Sequence, residues 1–149
     1  MKDLFIGFGT AGNQLIDFIK EHTPELETRI VDFRDKKTEK YILKSKRVFL
    51  FVGLGGDHSE EVVNLAEKIK DAGKIAVAIG ALPLLWEGIR RNTRAFEAKD
   101  RLLAIANYSI FPDNEELFQK LPKYLPASYL FVPAMEEALN FVKKIREIS

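Results

Sequence analysis

A three-layer α/β fold with a mainly parallel, Rossmann-like sheet is predicted for this chain, and three observations support the prediction. Apolar, β-rich segments alternate with helical segments along the 149 residues. Glycine-rich turns at 7–13 and 53–57 follow two predicted strands and precede predicted helices. Arg47–Gly53 is almost continuously apolar, which is typical of a central parallel strand covered on both faces.

The first half of the chain supplies three strands and two helices. A strand at 4–7 leads into a helix at 11–22, in which Leu15, Ile16 and Ile19 recur at helical spacing. A second strand at 28–33 and a short helix at 37–45 precede the central strand Arg47–Gly53. This β-α-β-α order predicts parallel strands joined by crossover helices.

The second half continues the alternation. An amphipathic helix at 59–72 stops before Gly73, a frequent residue type after a helix C-terminus. The following elements are a strand at 74–80, a helix at 84–99 weakened by Gly88, a strand within 102–111, and closing helices at 114–123 and 134–148, separated by a short apolar piece at 129–132. We expect one domain over residues 1–149 and no second one.

Composition excludes several classes of function. The chain has no cysteine and only two histidines, which excludes thiolate chemistry and leaves little for a zinc or iron centre. A formal net charge of +1 gives no general attraction to nucleic acid or to anionic lipid, so we expect neither as a partner. No signal-peptide pattern or membrane-length apolar run is present in the sequence, so a cytoplasmic location is expected.

The first glycine-rich turn has the pattern Gly-x-Gly-x-x-Gly, formed by Gly7, Gly9 and Gly12. Between a strand and a helix, such glycines permit a tight turn and a close approach of the backbone to a phosphate. Asp32 lies 20 residues after Gly12, where dinucleotide-binding folds hold a ribose with an acidic residue. The turn predicts a phosphate site; NAD(P) binding through these glycines and Asp32, or a tight turn without any ligand, are the alternatives.

The motifs that follow the second turn resemble those of the N-terminal GTP-binding domain of the FtsZ/tubulin family. They are Gly53-Leu-Gly-Gly56, the segment 72–83, Trp86-Glu-Gly-Ile-Arg-Arg91 and Ile110-Phe-Pro-Asp-Asn114. In that order they are similar to a glycine-rich signature loop, an AG…VAVV…P strand, an FEGxxR segment and a strand ending in Pro-Asn-Asp, the last in altered order. The resemblance covers most of residues 1–115 and implies a nucleotide-binding fold.

The resemblance implies a guanine nucleotide, GTP or GDP, as the ligand, with Mg²⁺ as a candidate companion. It also implies an FtsZ-like protein or a second copy of this chain as a candidate partner. The implied ligand contacts lie in both turns and after the last predicted strand: Gly9, Thr10, Ala11, Gly12, Asn13, Gly55, Gly56, Asp57, His58 and Asn114. No catalytic residue and no protein metal ligand is predicted.

The chain departs from the family pattern in ways that bear on activity. Asp57 and Glu60 follow Gly56 where the family has further glycines, and their charge opposes a phosphate; helix capping by Asp57 or Ser59 is the favoured interpretation. Only 46 positions separate Gly7 from Gly53, which leaves no room for the family's γ-phosphate sensor. The acidic loop of a second domain is not expected either. Weak or no GTP hydrolysis is therefore predicted, with a nucleotide-free interaction module as the alternative.

Overall fold

The computed structural model describes residues 3–148, which form a five-stranded parallel sheet flanked by helices. The strand order is β2-β1-β3-β4-β5. The strands are β1 (Asp3–Phe8), β2 (Arg29–Asp32), β3 (Arg47–Gly53), β4 (Ile75–Ala81) and β5 (Tyr108–Ile110). The α-helices are α1 (Gly9–His22), α2 (Thr38–Lys44), α3 (Ser59–Asp71), α4 (Ile89–Ile105), α5 (Asn114–Gln119) and α6 (Val132–Glu147), and short 3₁₀ turns occupy Leu85–Glu87 and Ala127–Tyr129.

The sheet separates two hydrophobic cores because successive strand residues point to opposite faces. On one face, Phe5, Phe49 and Phe51 pack against α1 and α6. On the other face, Leu4, Ile6 and the even-numbered positions of β3 pack against α2, α3 and α4. The three-layer parallel architecture predicted from the sequence is confirmed.

The central elements match their predicted bounds, and the later ones do not. β3 has the predicted bounds, and α3 ends at Asp71, one residue before the predicted end. The helix predicted at 84–99 is wrong at both ends. Gly88 has a positive φ of 106° that separates a 3₁₀ turn from α4. Helix α4 then continues to Ile105, because Leu102 is fully buried against the core, and β5 is shortened to three residues.

The closing helices also differ from their predicted bounds. Helix α5 ends at Gln119 and not at residue 123, while α6 begins at Val132, two residues before the predicted start. Within the part of the chain that is described, no helix is long and apolar enough to cross a membrane.

Candidate functional site

The carboxyl ends of β1 and β3 lie side by side at the centre of the sheet, and the connections that leave them run to opposite faces. The chain leaves β1 through α1 on one face and leaves β3 through α3 on the other. Such a switch point is where open α/β sheets bind their ligands. Both predicted glycine turns begin there.

The first turn is tight because α1 starts immediately after β1. Gly9 has a φ of +68°, a left-handed conformation that glycine adopts without strain. A Cβ on Gly12 would lie 2.1 Å from the carbonyl oxygen of Phe51, so Gly12 allows α1 to pack closely on β3. Gly12 is buried and its role is packing, whereas Gly9, Thr10 and Ala11 remain accessible at the turn.

Asn13 closes the inner side of the same turn. Its Nδ2 donates to the Gly9 carbonyl oxygen at 2.8 Å and to Asp32 Oδ2 at 3.2 Å. Asp32 Oδ1 accepts from the backbone N–H and the Nε of Arg34, both at 3.0 Å. Burial raises the pKa of Asp32, but these hydrogen bonds outweigh it, so the pKa lies below its usual value. Asp32 is therefore ionised at neutral pH and held by protein groups.

The second turn differs from its predicted arrangement. Gly55 is buried with a φ of +93°, and its N–H donates to Ser59 Oγ at 2.9 Å. The N-cap position of α3 is His58, and no side chain caps it, so the prediction of capping by Asp57 or Ser59 is wrong. The Ser59 hydroxyl is used instead to hold the preceding loop. Gly56 faces open space, where an added Cβ would have no atom closer than 3.9 Å.

The two carboxylates after Gly56 lie among arginines of α4. Asp57 and Glu60 share a cavity of about 380 Å³ with Arg94 and Arg101. Glu60 Oε2 is 2.8 Å from Arg101 Nη1. The charge of Glu60, expected to oppose a phosphate, is therefore compensated on the side of α4.

His58 connects the two turns. A Cβ on Gly9 would lie 2.7 Å from His58 Cδ2, so the ring covers the outer side of the first turn. The ring centroid is 4.9 Å from that of Phe33, which stacks on the buried Phe8, and Nδ1 is 2.8 Å from Glu61 Oε1. With Gly9, Thr10, Asn13 and Asp32 among its neighbours, His58 lines an open polar cavity of about 520 Å³.

A second, narrower cavity of about 190 Å³ lies on the other side of the first turn. Its walls come from α1, from the ends of β3 and β4 with the loops after them, and from the starts of α4, α5 and α6: Ala11, Gln14, Leu15, Gly53, Leu54, Ala81, Leu82, Pro83, Glu87, Arg91, Asn114, Phe131, Ala134 and Met135. Asn114 is 7% exposed, and its Oδ1 is the one buried side-chain polar atom without a hydrogen-bond partner among the described residues. A buried acceptor without a donor is costly, which makes Asn114 a candidate ligand contact in the wall of this cavity.

The predicted site residues fall into neighbouring groups. Gly9, Thr10, Asn13 and His58 line the open cavity, Ala11 and Asn114 line the narrow one, and Gly56 and Asp57 line the cavity beside α4. Gly12 and Gly55 line none of these three and fix the backbone. Gln14 lines both the open and the narrow cavity, which are therefore adjacent.

Sequence reasoning missed several residues of the narrow cavity. Glu87 and Arg91, whose side chains approach to 3.7 Å, stand at positions of the segment that carried the family resemblance and were available from it. Phe131 immediately precedes α6 and Met135 lies near its start; both are far along the chain, and no local pattern marked them. Among the described residues no group of three or more His, Cys, Asp or Glu side chains is arranged to hold a metal ion.

The chain was compared with known proteins in sequence and in fold. No family model matches the chain. The cell division protein FtsZ 1 of Methanocaldococcus jannaschii is 33% identical over 99% of this chain, which spans 38% of that relative's length. The solved structure of an empty FtsZ dimer from M. jannaschii superposes with a TM-score of 0.76, at 24% identity, over 99% of this chain and 55% of that one. The structure of CetZ2 from Haloferax volcanii, in a GTPγS-bound protofilament, superposes with a TM-score of 0.73 at 17% identity. The match covers 97% of this chain and 58% of the CetZ2 chain.

The parallel sheet, its switch point and the cavities beside the first turn define a three-layer α/β domain of the Rossmann-like class. Within this class, the sequence and the fold are both similar to those of FtsZ from M. jannaschii. The chain is an FtsZ/tubulin-like domain, and it spans 38% of the length of the M. jannaschii FtsZ that it matches.

Proposed function

We propose that this chain binds a guanine nucleotide, GTP or GDP, at the switch point, with weak or no hydrolysis of its own. The observation that carries the proposal is the unpartnered Oδ1 of Asn114, which is buried in the wall of the narrow cavity. An N–H donor on a nucleobase or a hydroxyl of a ribose would satisfy this acceptor. The matching protein from H. volcanii, CetZ2, is in a GTPγS-bound protofilament, which supports the choice of nucleotide.

The narrow cavity and the accessible start of α1 support a site in which different parts of the nucleotide occupy different places. A cavity of about 150 Å³ holds a benzene molecule in other proteins, so the narrow cavity of about 190 Å³ suits one ring system of a ligand. Glu87 and Arg91 at its edge would contact the sugar. The phosphates would lie toward the accessible Gly9, Thr10 and Ala11, at the start of α1.

The start of α1 is favourable for an anion. The helix has 14 residues, no side chain caps its first N–H groups, and its first turn contains no acidic residue. Its dipole and its unpaired N–H groups therefore favour negative charge at this end. Mg²⁺ would depend on phosphate oxygens for much of its coordination, as it does in many nucleotide sites.

The carboxylate that is hydrogen-bonded to Asn13 of the first turn does not favour hydrolysis. Asp32 is bonded to Arg34 and Asn13, so it is not placed as a free base for an attacking water. The same hydrogen bonds satisfy the Asp32 carboxylate within the protein, so its position does not require a ribose of NAD(P) as a partner. The engaged state of Asp32 therefore favours a protein that binds a guanine nucleotide without hydrolysing it, and it disfavours a dehydrogenase that binds NAD(P).

The proposal is tested by calorimetric titration of the full chain with GDP, GTP, NAD⁺ and NADP⁺, each with and without Mg²⁺. We expect GDP and GTP to bind with similar affinity, because the proposed contacts involve the base, the sugar and the first phosphates. Binding of NAD⁺ without binding of guanine nucleotides would favour the dinucleotide alternative. A chain that binds none of the four would be an interaction module.

A further inference from the structure

We propose that His58 is the phosphate ligand that replaces the missing glycines of the second turn, and that it binds the anion in its protonated form. This inference rests on the proposed function, since it names a contact and a pH dependence of the same site. It is carried by the position of the imidazole, which reaches from the second turn onto the first.

The imidazole is held in place on three sides. Phe33 packs beside the ring, with centroids 4.9 Å apart at an interplanar angle of 59°, and Glu61 bonds to Nδ1 at 2.8 Å. On its outer edge, Cδ2 and Nε2 face Gly9, at 2.7 and 3.1 Å from where a Cβ of that residue would lie. With Nδ1 engaged by a carboxylate, Nε2 is the ring atom available to a ligand, and it stands at the turn predicted to hold a phosphate.

The charges around the ring make its protonation decisive. The open cavity contains Asp17 from α1, and Asp32 and Arg34 from the end of β2, beside His58 itself. With neutral imidazole, the side chains of this cavity comprise two carboxylates and one guanidinium, so their net charge is negative. Glu61 on α3 adds a carboxylate beside the ring, whereas Asp57 lines the cavity with the arginines of α4. Protonation adds a positive charge among these carboxylates and allows Nε2 to donate a charge-assisted hydrogen bond.

One backbone donor of the second turn is already engaged within the loop. The Gly55 N–H is already bonded to Ser59 Oγ. The imidazolium thus supplies a donor where a glycine-rich loop would supply backbone N–H groups. Glu61 positions the ring through Nδ1 and stabilises its charge.

The test uses inorganic pyrophosphate and GDP as separate probes, each titrated at about pH 5.5 and about pH 8.5, which span the range over which histidines as a class change charge. The phosphates titrate in the same range, so the comparison is between the natural chain and His58→Asn at each pH. We expect the natural chain to bind pyrophosphate about tenfold more tightly than His58→Asn at the lower pH, and equally at the higher pH. His22→Asn, which changes an exposed histidine at the end of α1, is the matched control and should behave as the natural chain does.

The outcomes separate the two proposals. An affinity ratio between the natural chain and His58→Asn that is the same at both pH values would overturn the role of His58. Pyrophosphate binding with the expected ratio, but no GDP binding, would overturn the proposed function and leave the anion site standing. Failure of the natural chain to bind either probe would overturn both.

Discussion

Gly12→Ala is expected to lower the free energy of unfolding by about 3 kcal/mol or more, or to prevent folding. The added methyl group would lie 2.1 Å from the Phe51 carbonyl oxygen and 2.9 Å from its carbon, both of which belong to the backbone of β3. A central strand paired on both sides cannot move aside. Helix α1 would have to shift away from the sheet and lose the packing of Leu15, Ile16 and Ile19.

Gly56→Ala is the matched control, because the same change falls there in open space. Its nearest neighbours would be the Gly53 carbonyl oxygen at 3.9 Å and Arg91 Nη1 at 4.0 Å, and its φ is not positive. We expect its unfolding free energy to change by less than about 0.5 kcal/mol in urea denaturation. Equal effects of the two substitutions would contradict the assignment of Gly12 as a packing glycine.

Asp3→Asn is expected to destabilise the fold by about 3 kcal/mol, because it leaves a buried guanidinium without its counter-charge. Asp3 pairs with Arg47 through two contacts, at 2.8 and 3.2 Å, and with Arg146 at 3.3 Å. Arg47 also donates to the carbonyl oxygen of Ile145, so the cluster joins β1 and β3 to the end of α6. The side chains of Asp3 and Arg47 are only 5% and 10% exposed.

Urea denaturation with Glu116→Gln as the control tests this assignment. Glu116 pairs with Lys120 at 3.2 Å, but both side chains are more than 60% exposed. Solvent-exposed pairs contribute little, so we expect a change of less than about 1 kcal/mol. If Asp3→Asn were as mild as Glu116→Gln, the buried cluster would not contribute to stability as described.

Local sequence patterns were sufficient for the central architecture. The apolar run of β3 and the helical spacing of Val62, Val63 and Ala66 in α3 reflect burial on a sheet, and both elements lie where they were predicted. Gly88 was recognised as a weak point, but the extension of α4 to Ile105 depends on Leu102 packing against α3 and the sheet. That contact is tertiary, so no local pattern could reveal it.

For the candidate site, the sequence predicted where the backbone turns lie but not which contacts the side chains make. The glycine pattern located both turns at the switch point, as the connectivity of parallel strands requires. The contact of His58 with Gly9 joins loops after different strands, and the orphaned oxygen of Asn114 is visible only once its burial is known. The Ser59 hydroxyl was expected to cap a helix, but it accepts a hydrogen bond from the Gly55 N–H of the preceding loop.

The most direct measurement is the dissociation constant of GDP for Asn114→Leu compared with that for the natural chain. If Asn114 is kept for a ligand, replacing its unpartnered Oδ1 with an apolar side chain of similar shape removes a buried polar group, and the empty protein should be as stable as the natural chain or about 1 kcal/mol more stable. The same change should weaken GDP binding about tenfold or more, while Asn140→Leu, on the exposed side of α6, should leave the affinity unaltered. Unchanged GDP affinity in a stably folded Asn114→Leu chain would contradict the account.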